Sequence, residues 1–350
     1  MKLIRPLAVT DAVLTSSNVS EAAPTAWSSG TTYGAGTQVS VATGHTEVVY
    51  ASLQAANLNH APASSPTWWE FLSTTYDAYA GGTTYAQFDR VISVSTNVHK
   101  TYESVQGSNM GNALSDPAWW LDLGATNRWA MFDRVVNAQT SRQDTIDTVF
   151  LASGRIDSVV LLNLSAATAH ITMTDATEGV VFDETFPLVS TSGITDWYAY
   201  FFEPIVRISD LVVASLPPFA NATIEVVLTD TGNTVLCGEC VLGLSRQIGA
   251  TQYGASIGIQ DFSVKSTDEF GNFTITERAF SKRGTFTVWI PNGLVDELQT
   301  LLASYRAEPI VYVGSDLFAA TAVYGFYKDF SIDIAYTETS VVSFEIEGLT

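Results

Sequence analysis

The sequence has only two cysteines, only 16 lysines and arginines, and no apolar run of the length needed to cross a membrane. Cys237 and Cys240 stand in the run Cys-Gly-Glu-Cys. They lack the second ligand pair of a zinc site and the βαβ context of a redox motif, so we predict two ordinary strand cysteines. The 36 acidic residues bring the formal net charge to −20, which argues against binding to nucleic-acid phosphates or to anionic membranes. We therefore expect no nucleic-acid partner and no membrane insertion.

Lysine, arginine and glutamate, which favour helices, are scarce, whereas 46% of the residues are hydrophobic and 11% are aromatic. This composition predicts folded domains made mainly of β-strands, and a length of 350 residues suits two to four of them. At the N-terminus, Arg5 and Pro6 leave no room for the apolar region of a signal peptide. We therefore expect the chain to be synthesised and to fold in a cytoplasm.

An internal repeat occupies residues 26–127, and its anchors recur at a constant offset of 52 residues. The matched pairs are Trp27 and Tyr79, Tyr33 and Tyr85, Val39 and Val91, and Tyr50 and Tyr102. Each copy then ends on a proline followed by a tryptophan pair, Trp68-Trp69 in the first copy and Trp119-Trp120 in the second. Turn glycines and short β-rich runs between the anchors predict two small three-stranded modules, residues 26–75 and 76–127.

The order of these anchors resembles the small chitin-binding modules of bacterial chitinases, which also occur in phage tail proteins. The resemblance implies a short three-stranded fold with exposed aromatic rings that stack on sugars, because the C–H face of a pyranose packs well on an aromatic ring. Carried over by position, it implies six candidate carbohydrate-binding residues. They are Tyr33, Trp68 and Trp69 in the first copy, and Tyr85, Trp119 and Trp120 in the second.

Neighbouring residues of a strand face opposite ways, so one tryptophan of each pair must belong to the core of its module. We expect Trp69 and Trp120 to be the solvent-facing members. The alternative interpretation is that the modules only decorate the surface or pack against neighbouring molecules, without binding a sugar.

Residues 128–245 show short alternating strand patterns separated by turn residues, which is typical of a jelly-roll-like β-sandwich. Within them, the run from Trp197 to Phe202 holds five aromatic residues, which we expect to fill the core and its rim. In residues 246–350, strand patterns flank one amphipathic helical pattern from Leu294 to Tyr305. We therefore predict a mainly β protein with an N-terminal segment (residues 1–25), the two modules, a β-sandwich domain and a C-terminal α+β assembly domain with one main helix.

No arrangement of reactive residues predicts an enzyme. The acidic pairs Asp183-Glu184 and Asp268-Glu269 are adjacent in sequence, whereas a glycosidase needs two carboxylates that face one bond. The four histidines are far apart in the sequence, and we expect isolated surface or turn positions for them. We therefore predict no catalytic residue, no metal site and no cofactor.

The whole layout, with local strings such as Arg283-Gly-Thr-Phe286 and the closing Phe344-Glu-Ile-Glu-Gly-Leu349, is similar to minor tail or baseplate proteins of long-tailed bacteriophages. This resemblance implies a structural protein of the virion tail tip, made in the host cytoplasm, that forms homo-oligomers and contacts other tail proteins. The modules would attach the virion to saccharides of the host surface. The alternatives are a stand-alone polysaccharide-binding protein and an accessory of a glycoside hydrolase or depolymerase.

Overall fold

The protein is mainly β with one main helix, which confirms the coarse prediction from composition and periodicity. The computed structural model describes residues 1–94, 97–152, 154–190, 194, 196–204, 206–267 and 269–350. The strands up to the end of the repeats are β1 (Lys2–Pro6), β2 (Leu14–Ser17), β3 (Thr32–Tyr33), β4 (Gln38–Thr43), β5 (Thr46–Ser52), β6 (Asn57–Leu58), β7 (Trp69–Tyr76), β8 (Arg90–Ser93), β9 (Lys100–Ser104) and β10 (Trp120–Ala125).

The remaining strands are β11 (Thr140–Leu151), β12 (Ser158–Ser165), β13 (Thr168–Asp175), β14 (Gly179–Pro187), β15 (Val189–Ser190), β16 (Val206–Arg207), β17 (Leu211–Val213), β18 (Thr223–Gln247), β19 (Ala250–Thr251), β20 (Ser256–Asp261), β21 (Val264–Thr267), β22 (Phe273–Thr276), β23 (Phe280–Pro291), β24 (Ile310–Val313), β25 (Ala322–Asp333) and β26 (Thr339–Gly348). The helices are α1 (Trp197–Phe202) and α2 (Val295–Ser304), and short 3-10 turns lie at Pro62–Ser64, Ala130–Phe132, Asn292–Leu294 and Ala319–Thr321.

One fourteen-stranded sheet forms the body of the protein. Its main path runs β14-β13-β18-β1-β24-β25-β26-β23-β19, and β2, β11, β12, β17 and β20 pair beside this path. The N-terminal strand β1 is antiparallel to both neighbours, with Ile4 opposite Ser245 of β18 and opposite Val311 of β24. Strand β1 therefore joins the strands of residues 128–245 and those of the C-terminal region in a single sheet.

The two repeats are inserted into the chain between two strands of the body that lie next to each other. Strand β2 precedes the repeats, β11 follows them, and the two pair antiparallel with Ser17 opposite Thr148. Inside the repeats, β4-β5-β7 and β10-β9-β8 form two three-stranded sheets that are separate from the large one. The chain from β2 to β11 is therefore an excursion whose two ends meet on the body.

Strand β18, 25 residues long, organises the core of the body. In its first half Ile224, Val226 and Leu228 are buried, as the predicted alternation requires, because residues two apart share a face of the sheet. Further along, Cys237 and Cys240 are free thiols, fully buried within the strand, which confirms the prediction of strand cysteines. Burial raises the pKa of both thiols, so both stay protonated at neutral pH.

The amphipathic pattern in the C-terminal region forms helix α2, as predicted. Leu298 and Leu302 lie four residues apart on one face and belong to the same buried cluster as Phe286 and Phe344 of the sheet. The first turn carries two acidic residues, where the positive end of the helix dipole stabilises carboxylates.

The aromatic run of residues 197–202 does not fill a core, and the expectation that it does is wrong. It forms the short helix α1, where Trp197 is 78% exposed and stacks on Phe201 at 6.2 Å between ring centroids. Five rings around a helix of six residues cannot all turn towards one side, so this helix has no distinct apolar face. The exposed aromatic residues are Trp197, Tyr198, Tyr200, Phe201 and Phe202.

No group of three His, Cys, Asp or Glu side chains within the described part of the chain could hold a metal ion. None of the helices described is long and apolar enough to cross a membrane. Of the adjacent acidic pairs, Asp183 and Glu184 are exposed on β14, and Asp268 lies outside the described residues.

Candidate functional site

The two repeats have matching backbone connections as far as Asn57 and Asn109, and the tryptophan pairs that follow are offset by 51 residues. In the first, Tyr33 pairs with Asn57 in the short ladder of β3 and β6, and in the second Tyr85 forms a bridge with Asn109. The parallel bridge between Ala26 and Ser40 is matched by one between Ala78 and Ile92. The 52-residue offset of the sequence is therefore also the offset of the fold.

Each repeat is built around one tyrosine and the second tryptophan of its pair. Tyr33 and Trp69 meet edge to face with ring centroids 5.3 Å apart, and Tyr85 and Trp120 meet in the same way, also at 5.3 Å. The tyrosine hydroxyls accept the backbone N–H of the residue five positions earlier, at 2.7 Å in the first copy and 2.8 Å in the second. Four of the six candidate residues are therefore core residues.

The expectation that Trp69 and Trp120 face the solvent is wrong, because both are only 2% exposed. Each is the first residue of its strand, β7 or β10, and turns its ring inwards. The indole N–H of Trp69 donates to the carbonyl oxygen of His60 at 2.8 Å, and that of Trp120 donates to the carbonyl oxygen of Asn112 at 3.1 Å. These bonds satisfy the one polar group that burial of a tryptophan would otherwise leave unpaired.

Trp68 and Trp119, the first tryptophans of each pair, are half-buried and keep part of the ring at the surface. A glutamine lies beside each. The side-chain N–H of Gln54 donates to the carbonyl oxygen of Thr67 at 3.0 Å, and that of Gln106 donates to Ala118 at 3.1 Å. These bonds fix each amide on the carbonyl group that precedes the surface tryptophan, and both glutamines are exposed.

A buried asparagine, which the sequence pattern did not single out, locks each copy. Asn57 is fully buried and donates to the Ser52 hydroxyl at 2.9 Å and to the Trp68 carbonyl at 3.3 Å. Asn109 repeats both bonds, to Ser104 and Trp119, at the same distances. These asparagines fix the carbonyl of each surface tryptophan. The offset of 52 residues, applied to polar as well as aromatic residues, would have found them.

The two copies differ in what covers the surface tryptophan. In the first copy, the imidazole of His60 stacks on Trp68 with ring centroids 3.8 Å apart and planes inclined by 10°. In the second copy the same position holds Asn112, whose amide donates to Asn109 at 2.9 Å. One face of Trp68 is therefore occupied by a ring of the same chain, and Trp119 has no such ring from position 112.

The only lysine or arginine residues between positions 26 and 127 are Arg90 and Lys100, and both are paired. Arg90 donates to the Tyr76 hydroxyl at 3.1 Å and to Glu103 at 2.8 Å, and these bonds raise the pKa of its guanidinium. Lys100 donates to Asp122 at 2.7 Å, which raises the pKa of its ammonium group. In their described residues, the modules therefore have no unpaired lysine or arginine with which to bind an anionic ligand.

The expectation of surface or turn positions is wrong for His99, which is buried between Glu21 and Asp11. His45 lies in the turn between β4 and β5, 2.9 Å from Asp77, and the partly exposed His170 lies 2.6 Å from Asp183. Their partners are too far apart in sequence to appear in a local motif.

The arrangement offers, twice in one chain, a partly exposed indole with a fixed amide acceptor beside it and with the nearby lysine and arginine already paired. An indole face supplies apolar area, and the amide sets orientation by accepting a hydroxyl hydrogen bond.

Compared with known protein families, curated protein sequences and solved structures, the chain has no match. Its function is therefore inferred from the contacts of its own residues.

Proposed function

We propose that this chain is a structural protein of the tail tip or baseplate of a long-tailed bacteriophage, and that its two repeats bind saccharides of the host surface. The observation that carries the proposal is the duplication of one surface feature. Each repeat buries its second tryptophan and holds the first, Trp68 or Trp119, at the surface beside a fixed glutamine.

A neutral sugar is the ligand that this surface fits best. Stacking of a pyranose on an indole needs apolar contact and hydroxyl acceptors, both of which Trp119 and Gln106 offer. An anionic sugar would need an unpaired cation, and Arg90 and Lys100 are both neutralised by carboxylates. We therefore assign residues 26–75 and 76–127 to carbohydrate-binding-like modules with preference for uncharged saccharides.

Two sites on one chain support attachment through avidity. Because both modules belong to one excursion that is held at both ends by the pairing of β2 and β11, they share one anchor on the body. When the first module is bound, the second searches at a high effective concentration, which strengthens binding without any new contact.

A structural role for the body is supported by its surface. The chain has 18178 Å² of accessible surface, whereas a compact monomer of 37.7 kDa exposes about 13,800 Å². Part of the extra surface is apolar, including helix α1. Large exposed apolar areas on soluble proteins mark sites of association. On this basis we assign an assembly role to the body of the protein.

Retention of the full-length protein on immobilised chitin and on a panel of neutral and acidic glycans tests the sugar-binding half. We expect Trp119→Ala to weaken retention about five-fold, the loss of about 1 kcal/mol from one stacked ring. Trp68→Ala should weaken it less, because His60 already covers one face of Trp68. The double variant, Trp68→Ala with Trp119→Ala, should also lose the gain in affinity that comes from having two sites on one chain.

Phe71→Ala serves as the matched control, since Phe71 is an aromatic residue of the first module that is 53% exposed and whose ring meets Tyr50 edge to face at 6.3 Å between centroids. Its retention should equal that of the unmodified protein. Absence of retention on every glycan would remove the saccharide role and leave the structural role. If both tryptophan variants bound as well as the unmodified chain, the site would be elsewhere.

A further inference from the structure

The C-terminal region carries a two-stranded ribbon that projects from the large sheet. Strand β20 pairs with β23 from Ser256 opposite Thr285 to Asp261 opposite Phe280, and the same ribbon continues as the pair β21 and β22. We call this outer pair, β21 with β22, the arm. Among the strands that the structure describes, the arm pairs only within itself, and every residue of its two strands is exposed.

One face of the arm is apolar. Phe273 and Ile275 are two residues apart and share a face, on which Lys265 lies directly opposite Ile275. Phe273 is 78% and Ile275 67% exposed. The other face carries Ser266 and Thr274 at its centre. An isolated two-stranded ribbon is at best marginally stable in water, so an apolar face of this kind favours a covering partner.

A groove lies at the base of the same ribbon. It encloses about 680 Å³ and is lined by apolar side chains that include Phe286 and Val313, which are buried, and Leu317 and Phe318, which are exposed. Lys2 and Asp316 also line the groove, and the carboxylate of Asp316 lies 2.9 Å from the ammonium group of Lys2, so the two charges neutralise each other. The groove and the arm face are therefore both largely apolar.

The arm and the groove of one chain do not meet. No residue of the arm lines the groove, whereas Ile257, at the base of the ribbon, does. From Ile257 to Thr267 the ribbon runs ten residues, or about 33 Å at about 3.3 Å per residue. The apolar face of the arm is therefore carried away from the groove that it complements.

We propose that the arm of one chain docks in the groove of a second copy, so that copies join head to tail. A contact between two different surfaces of identical chains closes into a ring or propagates as a filament. A contact of standard size removes about 1,600 Å² in total, well within the surface that this chain exposes beyond that of a compact monomer. The inference extends the assembly role proposed above and is independent of saccharide binding.

The test uses full-length protein and measures mass by sedimentation velocity over a range of concentrations. The unmodified chain should form oligomers. The arm variant Phe273→Lys with Ile275→Lys, and the groove variant Leu317→Lys with Phe318→Lys, should each raise the dissociation constant at least about 30-fold. All four side chains are exposed, so the variants should fold as the unmodified chain does.

Mixing the two variants provides the decisive measurement. An arm variant has an intact groove and a groove variant has an intact arm, so a head-to-tail contact predicts a dimer in the mixture and nothing larger. Thr274→Lys, on the opposite face of the arm, should assemble normally. Monomeric unmodified chain at tens of micromolar, or a mixture that stays monomeric, would overturn the proposal. Glycan retention by the monomeric variants separates this outcome from a failure of the saccharide role.

Discussion

The carboxylate of Glu21 lies 2.7 Å from Nδ1 of His99, although 78 residues separate them in the chain. Glu21 belongs to the segment before the repeats and His99 to the second repeat. The other carboxylate oxygen of Glu21 accepts a hydrogen bond from the Thr126 hydroxyl, also at 2.7 Å, and the His99 ring packs on Trp129 with centroids 4.9 Å apart. Glu21 therefore fastens the second module to the segment before the repeats, together with Asp11, whose carboxylate lies 3.2 Å from Nε2 of His99.

We expect Glu21→Ala to loosen this attachment. The change leaves Nδ1 of His99 and the Thr126 hydroxyl without their partner in a largely buried place, at a cost of about 1–3 kcal/mol, while Asp11 still pairs with Nε2 of His99. Hydrogen exchange on the full-length protein should show faster exchange at β9 and β10. Glu178→Ala, which removes an exposed carboxylate of the body, is the matched control and should leave those rates unchanged. Equal exchange in both variants would mean that other contacts hold the module.

A second prediction concerns a strained residue of the second module. Phe88 has a φ of 73°, in the left-handed region, where the first copy has Gly36 with a φ of 79°. Both backbone N–H groups donate to the last residue of the neighbouring strand, Ser52 or Ser104, so the two positions are equivalent. Left-handed backbone costs a non-glycine residue roughly 1–2 kcal/mol, and the Phe88 ring is 69% exposed and recovers little of it.

Phe88→Gly should therefore stabilise the second module by about 1 kcal/mol, measured as slower hydrogen exchange in β9. The reciprocal change, Gly36→Phe, should destabilise the first module by a similar amount. Loss of stability in Phe88→Gly would show that the ring makes a contact worth more than the strain. Loss of glycan retention without loss of stability would place the ring in the ligand site.

Periodicity in the sequence correctly predicted the elements that have one buried and one exposed face. Helix α2 and the alternation of Ile224, Val226 and Leu228 are confirmed because one side of each is buried and the other is not. The same reasoning failed for Trp68 and Trp69, since adjacent residues alternate in either register and the sequence does not say where the strand begins.

Long-range pairings were not accessible to sequence reasoning at all. Strand β1 lies between β18 and β24, whose partner residues are more than 200 positions away, and no local pattern in Lys2–Pro6 specifies either neighbour. The exposed helix α1 failed for another reason. A run of aromatic residues is typical of a core, and only the tertiary structure decides whether a core is there to receive it.

Glycine at position 238 yields a third prediction. A Cβ placed there would lie 2.2 Å from the carbonyl oxygen of Val136 and 2.8 Å from the Cβ of Asn163. The first neighbour is backbone and cannot rotate away, so Gly238→Ala should cost about 1–3 kcal/mol through displacement of the Val136 segment. Gly232→Ala in the same strand meets no atom within 4 Å but has a φ of 82°, so its cost should be confined to backbone strain of roughly 1–2 kcal/mol. Urea unfolding compares the two, and a smaller effect at position 238 would contradict the crowding.

The last prediction concerns two carboxyl groups on the body, Asp133 and Glu239. Burial raises the pKa of Asp133 to about 6, and burial together with the nearby Asp133 raises that of Glu239. A group whose pKa is higher in the folded than in the unfolded state contributes most below its unfolded pKa. That contribution is lost as the pH rises through the folded pKa, so Asp133 should lower stability between pH 4 and 7, by less than the full pKa shift implies because solvent screens the partly exposed carboxyl.

Asp133→Asn removes the titration and keeps an oxygen that can accept the Val135 N–H, which donates to Asp133 at 2.8 Å. In urea unfolding at pH 3, 6 and 8, the variant should match the unmodified chain at the lowest pH and exceed its stability at the highest. Asp175→Asn is the control with the opposite sign, because backbone N–H groups of Thr177 and Glu178 lower the pKa of Asp175. Above pH 5, the free energy of unfolding of Asp175→Asn should be lower than that of the unmodified chain by a constant amount. Repulsion within a chain of net charge −20 also lowers stability as the pH rises. The test therefore compares the free energy of unfolding of Asp133→Asn with that of the unmodified chain at each pH. Parallel curves for the two would show that Asp133 titrates normally.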